Sequence, residues 1–261
     1  MRLVGLHLLQ PLGLVASARR SALAEVDESG RLLRLELLGG DDEIIGALPP
    51  APALVAVDAP LAVPDEEGQR DLERVLAWCD VPVFPVSRRR LRQVFGGARG
   101  MTLAPALGAD GRAVVETLPD LLLRELAWER ERPPGTAPLD LADYRAAWLA
   151  VRAPAYRPKA AGRARAAGLA PARALLADAL DLGGWAPAAD ADDWTALHDA
   201  ARLDALACAC VALRLHRDAD ALTATLGAPE RGRVVVAADA NLRGRLAVNL
   251  ARMRAEGTIR I

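Results

Sequence analysis

Ala53-Leu54-Val55-Ala56-Val57-Asp58-Ala59-Pro60-Leu61 is the stretch on which the fold turns. An unbroken apolar run of this length reads as a strand buried on both faces, as in the interior of a parallel sheet. An acid closes the run. A carboxylate there is costly to desolvate without a partner. The carboxyl ends of strands in open α/β sheets are also where ligands bind. Asp58 therefore has two readings: a site residue, or a turn former that bonds the amides following it.

The chain organises around this strand. Residues 2–9 read as a strand broken by Gln10-Pro11-Leu12-Gly13, and 21–27 with 31–38 as a hairpin around Glu28-Ser29-Gly30. Asp41-Asp42-Glu43 opens a short helix that Pro49-Pro50 stops. Beyond Asp58 the pattern predicts a helix from Asp65 to about Trp78, then an irregular path over 81–86. Ser87 caps a short basic helix closed by Gly96-Gly97, and a flexible stretch runs to Gly111. Ala113-Val114-Val115-Glu116 is another strand ending in an acid, with a helix from Pro119 to about Arg130 and a Pro-rich loop over 131–139. Helices are expected over 140–150, 160–181, 192–217 and 241–255, with a late strand at Val234-Val235-Val236. Three strands followed by β-α-β alternation predict a mixed α/β sheet with helices on both faces. No linker divides the chain.

Composition excludes more than it assigns. With 261 residues, 52% hydrophobic but 3% aromatic, Leu, Ala and Val must build the core. A net charge of −1 gives no global attraction to nucleic acid or membrane. Arg2, an apolar stretch and Ala16-Ser17-Ala18 imitate a secretory signal, but His7, Gln10 and Pro11 interrupt it. No run is long enough to span a bilayer, so a cytoplasmic protein without membrane contact is expected. The three cysteines suit a reducing compartment, and the Cys208/Cys210 spacing fits neither a redox pair nor a zinc motif. There is no Walker loop, dinucleotide fingerprint or nucleophile elbow. Lys159 is the only lysine among many arginines. It is either a position that needs a compact ammonium or a chance survivor on a solvated segment.

The second informative acid is Asp204, which shares a helical stripe with Leu197, Ala200, Ala201, Ala207, Cys208 and Val211. An acid within an apolar stripe needs a cation or hydrogen-bond donors. Asp199 lies well around the wheel and can pair with Arg202 on a solvated face. Asp58, Glu116 and Asp204 are thus three acids that a sheet and a crossing helix could assemble. Clustered carboxylates repel unless a cation neutralises them or one stays protonated. Oxygen-only ligands suit Mg²⁺ or Mn²⁺, and the chemistry that most often uses them is phosphoryl or phosphodiester transfer.

Val55-Ala56-Val57-Asp58-Ala59-Pro60-Leu61, Arg70, Val115-Glu116 before Pro119, and Leu203-Asp204-Ala205-Leu206-Ala207 together resemble the DUF429 family. Tyr156-Arg157-Pro158-Lys159 with Gly162, Arg163 and Arg165 resembles that family's basic segment. The resemblance implies a single ribonuclease H-like domain over 1–261, with a sheet of five to six strands and helical insertions around 65–110 and 130–190. It also implies a metal-dependent nuclease with Asp58, Glu116 and Asp204 as ligands of Mg²⁺ or Mn²⁺. Lys159, Arg70 and Arg163 are the implied phosphate or substrate contacts. One position departs: where the family offers an Asp after the first strand's Gly-Ile pair, this chain has His7 after Gly5-Leu6. Imidazole offers one lone pair to one metal and suits transition metals better than Mg²⁺. His7 therefore points to one ion, a different ion, or a site that no longer cleaves; alternatively it is a buried histidine bonded to a carbonyl. The Arg88-Arg89-Arg90-Arg92 cluster and the 157–165 segment could hold a phosphate backbone, making nucleic acid a candidate partner, or could be solvated faces balanced by acids.

Overall fold

The computed structural model describes residues 1–9, 20–132, 139–157 and 166–259. Among these, seven strands form one sheet: β1 (Arg2–His7), β2 (Ser21–Val26), β3 (Leu32–Leu38), β4 (Ala53–Val57), β5 (Ala113–Glu116), β6 (Thr223–Ala228) and β7 (Gly232–Ala237). The order across the sheet is β3-β2-β1-β4-β5-β7-β6. The first three strands form an antiparallel meander; β4, β5 and β7 then add in parallel, and β6 closes the far edge antiparallel to β7. This mixed α/β architecture is consistent with the ribonuclease H-like expectation, with seven strands in place of five to six. The strand not anticipated is β6, which begins at the residue after a long helix and has no apolar run of its own.

The helices are α1 (Asp41–Ala47), α2 (Asp71–Trp78), α3 (Arg88–Phe95), α4 (Arg99–Leu107), α5 (Pro119–Glu131), α6 (Leu141–Ala150), α7 (Leu169–Leu176), α8 (Asp193–Leu222) and α9 (Ala240–Ala255). Strand alternation sorts them onto the two faces. Leu54 and Ala56 of β4 join a core built with α5, α7 and α8. Val55 and Val57 join a core with α1 and α4 on the opposite face. Val234 and Val236 of β7 pack with α2, α6 and α9 in a third cluster.

Two expectations between β4 and β5 change. The helix starts at Asp71 rather than Asp65, because Gly68 has φ +93° and interrupts any helix there. The Asp65 and Glu66 carbonyls instead accept the first amides of α3, from Arg88 and Arg89. The stretch expected to be flexible contains α4, whose Leu103 and Leu107 are buried against the sheet; tertiary burial outweighs Pro105 inside it. The Ser87 cap stands, with its hydroxyl accepting from the Arg90 amide. Most of the Pro-rich loop, and residues 160–165 of the expected 160–181 helix, lie outside the described residues.

One contact sets the depth at which α8 crosses the sheet. A Cβ added to Gly5 would lie 1.9 Å from the Ala205 carbonyl oxygen and 2.2 Å from the Ala209 nitrogen. Only a residue without a side chain lets the helix backbone come this close to β1. The Ala-rich face of α8 serves the same end. No described helix is long and apolar enough to cross a membrane.

Candidate metal centre

Register decides which acids meet. The Asp58 amide donates to the Leu6 carbonyl at 2.9 Å, which continues the β1–β4 pairing and sets His7 beside Asp58. Both side chains alternate onto the α8 face, where Gly5 lets the helix down onto the sheet. Asp204, next to Ala205 at that contact, completes the group. His7 Nδ1 lies 3.0 Å from Asp58 Oδ2 and 3.5 Å from Asp204 Oδ2. One ligand atom from each of the three residues falls within 4.8 Å of the others. The His7 partner is therefore a carboxylate and not a backbone carbonyl.

Glu116 does not belong to this group. It pairs with Val57, one residue short of Asp58, so alternation turns it to the opposite face of the sheet. There Arg70 takes both of its oxygens, at 2.9 and 2.5 Å, while Arg70 Nε also holds Glu73 at 2.6 Å. The Leu61 amide donates to Glu116 at 3.2 Å and the Val86 amide to Glu73 at 3.3 Å. Arg70, Glu73 and Glu116 are each at most 3% exposed. The expectation that Glu116 meets Asp58 and Asp204 is thus corrected: it faces away from them and pairs with Arg70, the implied substrate contact, and both line the cavity described below.

Arg157 supplies the cation that the carboxylates require. Its guanidinium donates to Asp204 Oδ1 at 2.8 Å and to Asp58 Oδ2 at 3.3 Å, and reaches Asp120 Oδ2 at 2.8 Å. The buried Tyr156 hydroxyl donates to Asp204 Oδ1. Burial would raise the Asp58 carboxyl, but Arg157 and His7 outweigh it and hold the group below the usual carboxylate range. Burial would lower the His7 imidazole, yet its bond to Asp58 and the charge of Asp204 leave it above its ordinary value. Tyr156 is pushed well above its usual range by burial and the adjacent Asp204 charge, so it remains a donor. The sequence marks Arg157 only as part of a basic stretch; its partners are visible only once α8 and β4 meet.

The donor set fits one divalent ion. Adjacent ligands of an octahedral ion with bonds of about 2.1 Å lie about 3 Å apart, and opposite ones about 4.2 Å; the His7–Asp58 spacing of 3.0 Å matches the first, and the His7–Asp204 spacing of 3.5 Å falls between the two. It does not fit two, since no carboxylate stands at position 7 to bridge them and Glu116 is engaged elsewhere. Lys159 and Arg163 lie outside the described residues.

The remaining candidates resolve simply. Arg89 and Arg92 pair with Glu67 and Glu66, so much of the α3 cluster is balanced by acids. Asp199 is buried rather than solvated: the 183–192 segment folds over it, the Ala188 amide donates to it at 3.0 Å, and Arg202 pairs with it as expected. Cys79, Cys208 and Cys210 are free and buried.

No protein-family model, curated protein or solved structure matches this chain. The site must be interpreted from its own geometry.

A cavity of about 640 Å³ opens beside the cluster, lined by Asp58, Thr117, Asp120 and Arg157 and continuing over apolar side chains. A smaller one, about 200 Å³, reaches His7 and Asp204 from the other side. The ligand atoms therefore lie between two openings rather than sealed in the core.

Proposed function

We propose that this chain is a metal-dependent, nuclease-like phosphodiester hydrolase of ribonuclease H-like fold, related to the DUF429 family. The observation that carries the proposal is the convergence of His7, Asp58 and Asp204 at the carboxyl ends of β1 and β4, beside a ligand-sized cavity. A single divalent ion, Mn²⁺ or Mg²⁺, held by these three residues would supply Lewis-acid charge for phosphate and for an attacking water. The chain's own groups do the rest. Arg157 and His7 keep Asp58 ionised, so it is ready to act as a ligand at neutral pH. Tyr156 fixes the Asp204 carboxylate from the buried side. Arg157, a third exposed and on the cavity wall, is placed to donate to a phosphate oxygen there. A cytoplasmic location belongs to the same reading, supported by the free, buried cysteines.

The test offers single-stranded, duplex and hybrid nucleic acids, and a small activated phosphodiester, to the protein with Mn²⁺ or Mg²⁺. Cleavage lost in Asp58→Asn supports the proposal. Absence of cleavage of every substrate by the wild-type protein sinks it.

A second reading is favoured by Arg157 itself. Its guanidinium already neutralises the carboxylates, so the site can be complete without a metal, in a protein that binds a ligand and does not cleave it. Calorimetric titration with Mn²⁺ separates the two: the hydrolase binds the ion and loses it on His7→Ala, whereas the binder takes up none.

A further inference from the structure

We propose that the large cavity is a chamber for a small phosphate ester carrying a flat apolar group, a nucleoside monophosphate in size and chemistry, rather than a track for a polynucleotide. For the reaction, though not for binding, this rests on the hydrolase reading above.

Its volume, about 640 Å³, is that of a small-molecule site. Its wall contains polar groups left without partners. The Thr117 side chain is 1% exposed, and among the described residues neither its hydroxyl nor the buried Nε of Arg124 has a hydrogen-bond partner. Arg124 and Arg152 both line the cavity, and neither forms an ion pair among the described residues. The two guanidiniums oppose each other: burial and then the Arg152 charge pull the Arg124 pKa down. The Arg124 guanidinium stacks 4.0 Å from the centroid of the Trp148 ring, which fixes its plane. Two adjacent guanidiniums and an orphan hydroxyl are complementary to a phosphate, whose oxygens accept several charge-assisted bonds at once.

The carboxylates that also line the cavity are engaged, Asp58 and Asp120 by Arg157, and Glu73 and Glu116 by Arg70, and the apolar part of the wall suits a flat group. Val83, Val86, Leu91 and Phe95 line it, with Phe84 40% exposed and 5.7 Å from Phe95 between ring centroids. The Arg90 guanidinium lies 4.7 Å from the Phe84 ring centroid, and the ring's other face is the one offered to a nucleobase. A polynucleotide needs instead a continuous run of available cations. The nearest one, on α3, is blunted by Glu66 and Glu67 and by Arg88, which donates to the Val63 carbonyl.

The test measures binding by calorimetry without divalent ions, so that no turnover intervenes. The probes are adenosine monophosphate, ribose 5-phosphate and a short single-stranded oligonucleotide. Adenosine monophosphate should bind about tenfold more tightly than ribose 5-phosphate, through stacking. Phe84→Ala should erase that margin. Arg152→Gln should weaken both monophosphates about tenfold, as loss of a charge-assisted bond does. Both substitutions fall on exposed side chains, and circular dichroism checks that the variants fold. The proposal is overturned by undetectable adenosine monophosphate binding, by unchanged affinity in either variant, or by an oligonucleotide that binds more tightly and is not displaced. Monophosphate binding with no cleavage once Mn²⁺ is added would retain the chamber and remove the hydrolase. Oligonucleotide cleavage without monophosphate binding would do the reverse.

Discussion

Two ionic clusters stand back to back at the same end of the sheet, and they differ in closure. On the α8 face, His7, Asp58, Asp204 and Arg157 share charge with side-chain exposures of 17, 18, 4 and 33%. On the other face, Arg70, Glu73 and Glu116 are each 3% exposed and saturated by one another and by backbone groups. The first is partly exposed where it meets the cavities. The second also borders the larger cavity, but its three charged groups are buried in a tie between β5, α2 and the irregular segment preceding α2. Asp58 and Glu116, acids at adjacent strand ends, thus enter a partly exposed cluster in one case and a buried tie in the other, and a one-residue offset in register separates them.

That contrast can be broken by mutation. Glu116→Ala strips two Arg70 nitrogens and the Leu61 amide of a buried acceptor and should cost about 3–5 kcal/mol in denaturant unfolding, as unsatisfied buried donors do. Asp58→Asn should cost less, because the side chain is partly exposed and Arg157 keeps Asp204 and Asp120 as partners. If the two variants lose equal stability, the division between a closed and an open cluster is wrong.

The next effect concerns how the open cluster is assembled. Gly5→Ala forces the new methyl into the backbone of α8. A loss of about 1–3 kcal/mol is expected from overpacking, together with weaker Mn²⁺ binding as Asp204 is lifted from Asp58. Unfolding and metal titration on the same variant check both. Full stability with unchanged Mn²⁺ affinity would show that the close crossing does not position the site.

The last prediction sharpens the comparison with a buried acid that has no ion-pair partner among the described residues. Glu125 accepts from Trp148 Nε1 at 2.7 Å and from the Asp239 amide at 3.1 Å. Burial, helped by the nearby Asp239 charge, pushes its carboxyl up to about 8. The folded state therefore holds a proton that the unfolded chain releases near its ordinary value of 4.5. The stabilisation is complete below that value and is lost as pH rises toward 8. Its slope is at most about 1.4 kcal/mol per pH unit. Denaturation of wild type and Glu125→Gln across this window should show the wild-type stability falling relative to the variant. Parallel curves would mean that Glu125 is ionised throughout.

Much of the scaffold was readable from residue patterns. The β4 run and its acid, the β2–β3 hairpin, the Ser87 cap and the inward-facing Asp204 follow from periodicity and local chemistry, which act over a few residues. What escaped reading depended on distant packing. Burial of Leu103 and Leu107 makes α4 a helix despite Pro105, and β6 exists because β7 provides an edge to pair with. The site divides in the same way. Asp58 and Asp204 stand out as acids in apolar surroundings. Glu116 stands out equally, and only its pairing with Val57 shows that it faces away.

By itself the amino-acid order determined that an α/β sheet would form and that certain strand ends and one helix face would carry charge, because hydrophobic periodicity and the cost of burying carboxylates are local properties. Only the tertiary structure decided which charges meet. Strand register, the depth of the helix crossing over Gly5 and the direction of Arg157 join residues about 50 to 200 positions apart, and such pairings are set by the packing of the whole sheet rather than by any segment of it.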